Sequence, residues 1–179
     1  MARVLTSRVW LGRMVYAATA VILIFLQLLP LDSRPATWAS PDWVLALTLA
    51  WLARRPDHVP VFLIAAIFML TDLLFQRPPG LWAALVVILT ETVRARVAGI
   101  RNMPFALEWG TVAFGVLVIT LTYRFAQLIV MSPQAPLGLT LIQMIMTIMF
   151  YPLVVGLAQI VFGLTRPAVG EVDNRGSRL

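Results

Sequence analysis

Six apolar runs separated by short polar turns make up most of this chain. They cover residues 14–30, 43–53, 59–75, 81–97, 105–131 and 137–164. The intervening stretches 31–41, 54–57, 77–80, 98–104 and 132–136 contain the Pro, Gly, Ser, Asn and Asp residues that end helices and form turns. A helix needs about 20 residues to cross a hydrocarbon core of about 30 Å, at about 1.5 Å per residue. The runs are continuous rather than alternating, which is the pattern of helices and not of barrel strands. The expected fold is therefore an all-α integral membrane protein, with about six transmembrane helices in one bundle over residues 14–164. Residues 1–13 would form a cytoplasmic arm and 165–179 a disordered cytoplasmic tail.

Two runs strain this reading. The second has eleven residues, a reach of about 17 Å. It is expected to gain length from residues 38–42 or to be shielded by its neighbours where the bilayer is thin. The first is short and follows arginines, as in a signal peptide. Leu31-Asp32-Ser33-Arg34 offers no small-x-small cleavage site, so a retained helix is expected.

Charge sets the orientation. All 14 basic residues are arginine, and arginine is held back on the cytoplasmic side. Six crossings from an inside N-terminus put eleven arginines in the cytoplasm: Arg3, Arg8, Arg13, Arg54, Arg55, Arg94, Arg96, Arg101, Arg166, Arg175 and Arg178. Arg34 and Arg77 then face out, and Arg124 lies within the fifth run. A re-entrant second run would leave four arginines inside and nine outside. The N-in, C-in arrangement with six crossings follows.

Composition narrows the chemistry. The chain is 60% hydrophobic and 12% charged, against roughly half and a quarter in soluble domains. With no cysteine, disulfides and thiol chemistry are excluded, and His58 alone does not make a zinc site. The net charge of +6 is spread between apolar runs rather than clustered, which argues against a nucleic-acid surface. No nucleophile–base set or glycine-rich phosphate loop is visible. No catalytic residue, cofactor or metal is expected.

Charged groups inside a bilayer are costly, so each is a candidate. Asp72 and Arg124 fall at similar depth near the outer ends of their runs; they can pair with each other or snorkel separately to the outer interface. Glu91 and Arg94 share a helix face and can form a local ion pair. Glu108 suits the N-terminus of the fifth helix. Asp42, after Ser40-Pro41, is placed to cap the second. A shared site of the outer carboxylates Asp42 and Asp72 is conceivable. Pro152 should kink the sixth helix, on which Gln143, Thr147 and Gln159 can bond to neighbours. Met144, Met146 and Met149 read as adaptable packing. Trp10, Trp38, Trp43, Trp51, Trp82 and Trp109 fall near run ends and read as interfacial anchors.

The order of several short motifs resembles the rod shape-determining protein MreD family. They are Leu26-Gln27-Leu28-Leu29-Pro30, Pro41-Asp42-Trp43-Val44-Leu45, Ala50-Trp51, Asp72-Leu73-Leu74 with Pro79-Gly80-Leu81, and Tyr151-Pro152, spanning residues 27–163 with the first motif's edge. Ala65-Ala66-Ile67-Phe68 stands where the family usually has glycines. The resemblance implies a non-enzymatic component of the bacterial elongation complex in the inner membrane. It would bind MreC and help couple MreB filaments to peptidoglycan synthesis by RodA and a penicillin-binding transpeptidase. It also implies a bundle similar to the substrate-binding subunits of energy-coupling-factor transporters. An interaction scaffold would use Asp42, Asp72, Gly80 and Arg124 to orient partners, with Pro152 shaping the last helix. The competing reading is a small-molecule-binding transporter subunit, with Asp72 and Arg124 touching ligand.

Overall fold

The computed structural model describes residues 2–29, 38–101, 104–131 and 134–163, with side chains from residue 9 onward except at 97–101. Within them the chain forms six α-helices and no strand. The helices are α1 (Ala2–Leu28), α2 (Trp43–Arg54), α3 (Val61–Leu74), α4 (Leu81–Arg101), α5 (Phe105–Ile129) and α6 (Leu137–Phe162). A 3-10 turn, Pro56–His58, joins α2 to α3.

Local chemistry explains the boundaries. Pro60, Pro104 and Pro136 stand directly before α3, α5 and α6. Without an N–H, a proline suits a helix start and cannot extend a preceding helix. Gly163 ends α6 with φ of 60°, the left-handed conformation that glycine adopts without a Cβ clash. α6 runs through Pro152, which leaves the Ile148 carbonyl without its usual partner four residues on. The Trp109 indole of α5 donates to that oxygen at 2.9 Å. The proline thus supplies a joint between α5 and α6.

The short second run is resolved by burial. Every α2 residue from Val44 to Arg54 is buried, with α1, α4 and α6 packed around it. Its twelve residues span about 18 Å, and residues 38–42 add no helix to it. The wrapped helix takes its apolar surroundings from protein. Trp51 sits at the centre, against Tyr16 at 5.5 Å and Phe162 at 5.4 Å between ring centroids. Tyr16 bonds Thr48 at 2.8 Å, so the hydroxyls of α1 and α2 satisfy each other inside the core.

Among the described residues three helices are long and apolar enough to cross a membrane: Val9–Leu28 within α1, α5 and α6. α2 and α3 are shorter apolar helices. The chain is thus compatible with a helical membrane protein. α1 extends the first run back to Ala2, so the expected arm is helical. α4 continues to Arg101, through most of the expected turn 98–104. Arg34 and the tail 165–179 lie outside the described residues.

Candidate functional site

The polar groups of the bundle gather at its two ends, named here for the residues at either end of α2. At the Arg54 end, the Arg54 guanidinium donates from Nη1 to Glu108 Oε1 at 2.9 Å, with both side chains at most 2% exposed. Tyr151 donates its hydroxyl to the same oxygen at 2.7 Å, and Arg54 Nη1 also reaches Ala50 O at 3.2 Å. Three helices, α2, α5 and α6, are tied by one carboxylate. Beside this cluster, Arg94 bonds Glu91 at 2.8 Å, Pro56 O at 2.8 Å and Val59 O at 2.5 Å, clamping the 3-10 turn to α4. Arg13 donates to Asp57 O at 3.2 Å from α1. The local Glu91–Arg94 pair is as expected; Glu108 is not a simple helix-end charge, because its carboxylate is turned inward onto Arg54. A basic residue at the end of α2 and an acidic one at the start of α5 match in depth, and that was the available signal.

At the Asp42 end, two aspartates hold helix starts. Asp42 Oδ1 accepts from the Leu45 N–H at 3.0 Å, capping α2. Its own N–H donates to Thr147 Oγ1 of α6 at 2.9 Å, while Gln27 of α1 reaches Pro41 O at 3.3 Å. Asp72, at the end of α3, accepts with Oδ2 from the N–H groups of Gly80 at 3.0 Å and Ala83 at 3.1 Å. It therefore caps α4 across the turn between them, and Gly80 makes that turn at φ of 83°. The caps occupy different helices, so the two carboxylates form no shared site.

Of the two arrangements open to Asp72 and Arg124, a mutual pair does not form. Asp72 faces the free N–H groups of α4, which favour a carboxylate, and the cation acting on it is Arg77 rather than Arg124. Arg124 instead donates to Ala135 O at 3.1 Å and Thr140 Oγ1 at 2.6 Å, fastening α5 to the start of α6. Of the polar residues on α6, Thr147 makes its cross-helix bond. Gln159 is exposed and makes none among the described residues. Trp51 and Trp82, expected as interfacial anchors, are buried, whereas Trp10 and Trp38 are more than half exposed.

A cavity of about 380 Å³ opens at the Asp42 end between α2, α4, α5 and α6. Its wall includes Asp42, Arg77, Trp82, Arg124, Gln127 and Gln143. A second cavity of about 290 Å³ adjoins it, sharing Asp42, Phe75, Arg77 and Gln143. Arg77 was read from the sequence as an outward loop charge. Its guanidinium lies over the rings of Phe75 and Trp82, 5.4 and 5.7 Å from their centroids. Among the described residues no group of three or more His, Cys, Asp or Glu is arranged to hold a metal.

No family model, curated protein or solved structure matches the chain.

Proposed function

We propose that the chain is a membrane-embedded scaffold of the MreD type, without enzymatic activity, in the bacterial inner membrane. Its six helices would each cross, with both termini in the cytoplasm, and it would bind MreC. Through MreC it would help couple MreB filaments to peptidoglycan synthesis by RodA and its transpeptidase. One observation carries the reading: the buried charges of the bundle are committed to helix caps and ties rather than aimed at a reacting centre. Asp42 and Asp72 cap helices, Arg54 and Glu108 join three of them, and Tyr151-Pro152 sits at the joint of α5 with α6. The motifs that carry the MreD resemblance thus coincide with the points where helices are fixed to one another.

The outer surface supports the same reading. α1, α5 and α6 expose large apolar side chains such as Phe25, Phe114, Phe125 and Ile160. Such surface fits lipid and partner helices, where close packing rather than the hydrophobic effect drives association. Depletion of the protein should turn rods into spheres and release MreC from its complexes. Crosslinkers placed in the Asp42 and Gly80 loops should capture MreC in membranes. Normal cell shape after clean deletion, with no second copy of the gene, would refute the scaffold. Reporter fusions placing the 94–101 segment outside the cell would refute the topology.

A further inference from the structure

From the cavity at the Asp42 end, we infer that the protein binds a small organic anion, a phosphate or carboxylate on an apolar body, with Arg77 and Arg124 as its counter-charges. This goes beyond the scaffold reading and does not depend on it. The argument rests on which polar groups the fold uses and which it leaves open.

Arg77 is half-buried and held by two aromatic faces, yet its guanidinium makes no hydrogen bond among the described residues. Stacking fixes the plane of the fork and leaves its N–H edge for an acceptor, and that geometry suits bidentate binding of carboxylate or phosphate. Gln127 is 8% exposed, lines the same cavity, and makes no side-chain hydrogen bond among the described residues. Its carboxamide is not among the sealed, unpartnered groups of the core, so it opens onto the cavity, where a ligand can bond it. Gln143 lines both cavities and its side chain is likewise without a hydrogen bond among the described residues. Arg124 adds a second cation, already oriented by Ala135 O and Thr140.

The wall carries one carboxylate, Asp42, whose Oδ1 is committed to the α2 cap. Asp72 lies behind the wall and acts electrostatically on Arg77, but its bonded oxygen is turned onto the Gly80 and Ala83 N–H groups, so both guanidinium edges stay open to an anion. The remaining lining mixes Gln76 and three threonines with apolar and aromatic side chains, Trp82 packed edge-on against Tyr123 at 5.2 Å between centroids. A space of this size takes a drug-sized molecule, and an apolar wall with a few convergent polar groups is the usual form of such a site. The anion could be carried by a soluble molecule or by a lipid headgroup; the recognition chemistry is the same.

The test uses the full chain in phosphatidylcholine nanodiscs, with phenyl phosphate as soluble probe and benzyl alcohol as its neutral control. A parallel sample holds the protein in nanodiscs containing phosphatidylglycerol. Phenyl phosphate should raise the melting temperature saturably and benzyl alcohol should not. Arg77→Ala should weaken the response at least tenfold, and Arg77→Lys, which keeps charge but loses the fork, should weaken it less. Arg77-dependent stabilisation by phosphatidylglycerol alone would keep the anion site and assign its source to lipid. Should Arg77→Ala lower the melting temperature without probe, Gln127→Leu and Arg124→Gln take its place, with the same loss expected. Absence of any saturable, arginine-dependent effect of either anion would overturn the inference.

Discussion

The two ends of α2 handle charge in opposite ways. At the Arg54 end the guanidinium meets Glu108 inside the protein, both nearly inaccessible, and a tyrosine hydroxyl completes the cluster. At the Asp42 end the arginines line a cavity, and Arg77 is held by aromatic faces with no carboxylate bonded to it among the described residues. The first arrangement closes the bundle; the second leaves it addressable. The same residue type, arginine, therefore reads as structure in one place and recognition in the other, and the number of protein acceptors around it makes the difference.

Breaking the closed end should have the largest effect. Glu108→Ala leaves the buried Arg54 without its carboxylate, and removing one partner of a buried pair costs about 3–5 kcal/mol. The folded yield should collapse, with unfolding in mixed micelles shifted accordingly. Replacing the set with apolar groups, Arg54→Met with Glu108→Leu and Tyr151→Phe, should restore much of the loss, because the desolvation penalty leaves with the charges. A triple variant as unstable as Glu108→Ala would show that the cluster contributes more than mutual neutralisation. At the Asp42 end, Asp72→Ala removes the acceptor for two N–H groups of α4 and should cost about 1–2 kcal/mol, read as a lowered melting temperature. Asp72→Asn retains one oxygen and should lose less.

Legibility from the sequence follows the range of the interaction. Most helix ends fell within two or three residues of the apolar runs because Pro60, Pro104 and Pro136 mark them directly. The Asp42 cap and the Glu91–Arg94 pair were readable because each joins residues three apart. Arg54 and Glu108 are 54 positions apart, and in so apolar a chain nothing distinguishes a face that meets lipid from one that meets protein. Trp51 and Trp82 were misplaced for that reason, since a position near a run end says nothing about which neighbours surround it. The partners of Asp72 stayed open between a distant cation and the interface because its hydrogen bonds go to backbone groups, which the sequence does not display.

A smaller substitution separates capping from recognition at the open end. Asn caps a helix about as well as Asp. Asp42→Asn should therefore leave the melting temperature almost unchanged while removing the one carboxylate on the cavity wall among the described residues. Phenyl phosphate should then bind a few-fold more tightly. Weaker binding would mean that Asp42 contacts a donor on the ligand rather than merely opposing its charge.

The smallest expected effect belongs to the closed end and depends on pH. His58 lies in the 3-10 turn against the Trp51 ring, 5.9 Å between centroids, and a Cβ on Gly12 of α1 would collide with it. Partial burial pushes its pKa below the ordinary 6.5; Arg55 and Arg13 push the same way, and Asp57 opposes them. The unfolded chain takes up a proton near pH 6.5, while the folded protein resists it to lower pH. By linkage, the His58 contribution to stability is complete above pH 6.5 and is lost as pH falls from there through the folded value. Thermal melts should thus show a decline between about pH 7.5 and 5.5 that His58→Gln flattens. His58 belongs to the Arg54 end, so the decline should be the same with and without Arg77. An equal decline in His58→Gln would place the pH sensitivity on a different group and leave the turn's packing against α1 indifferent to protonation.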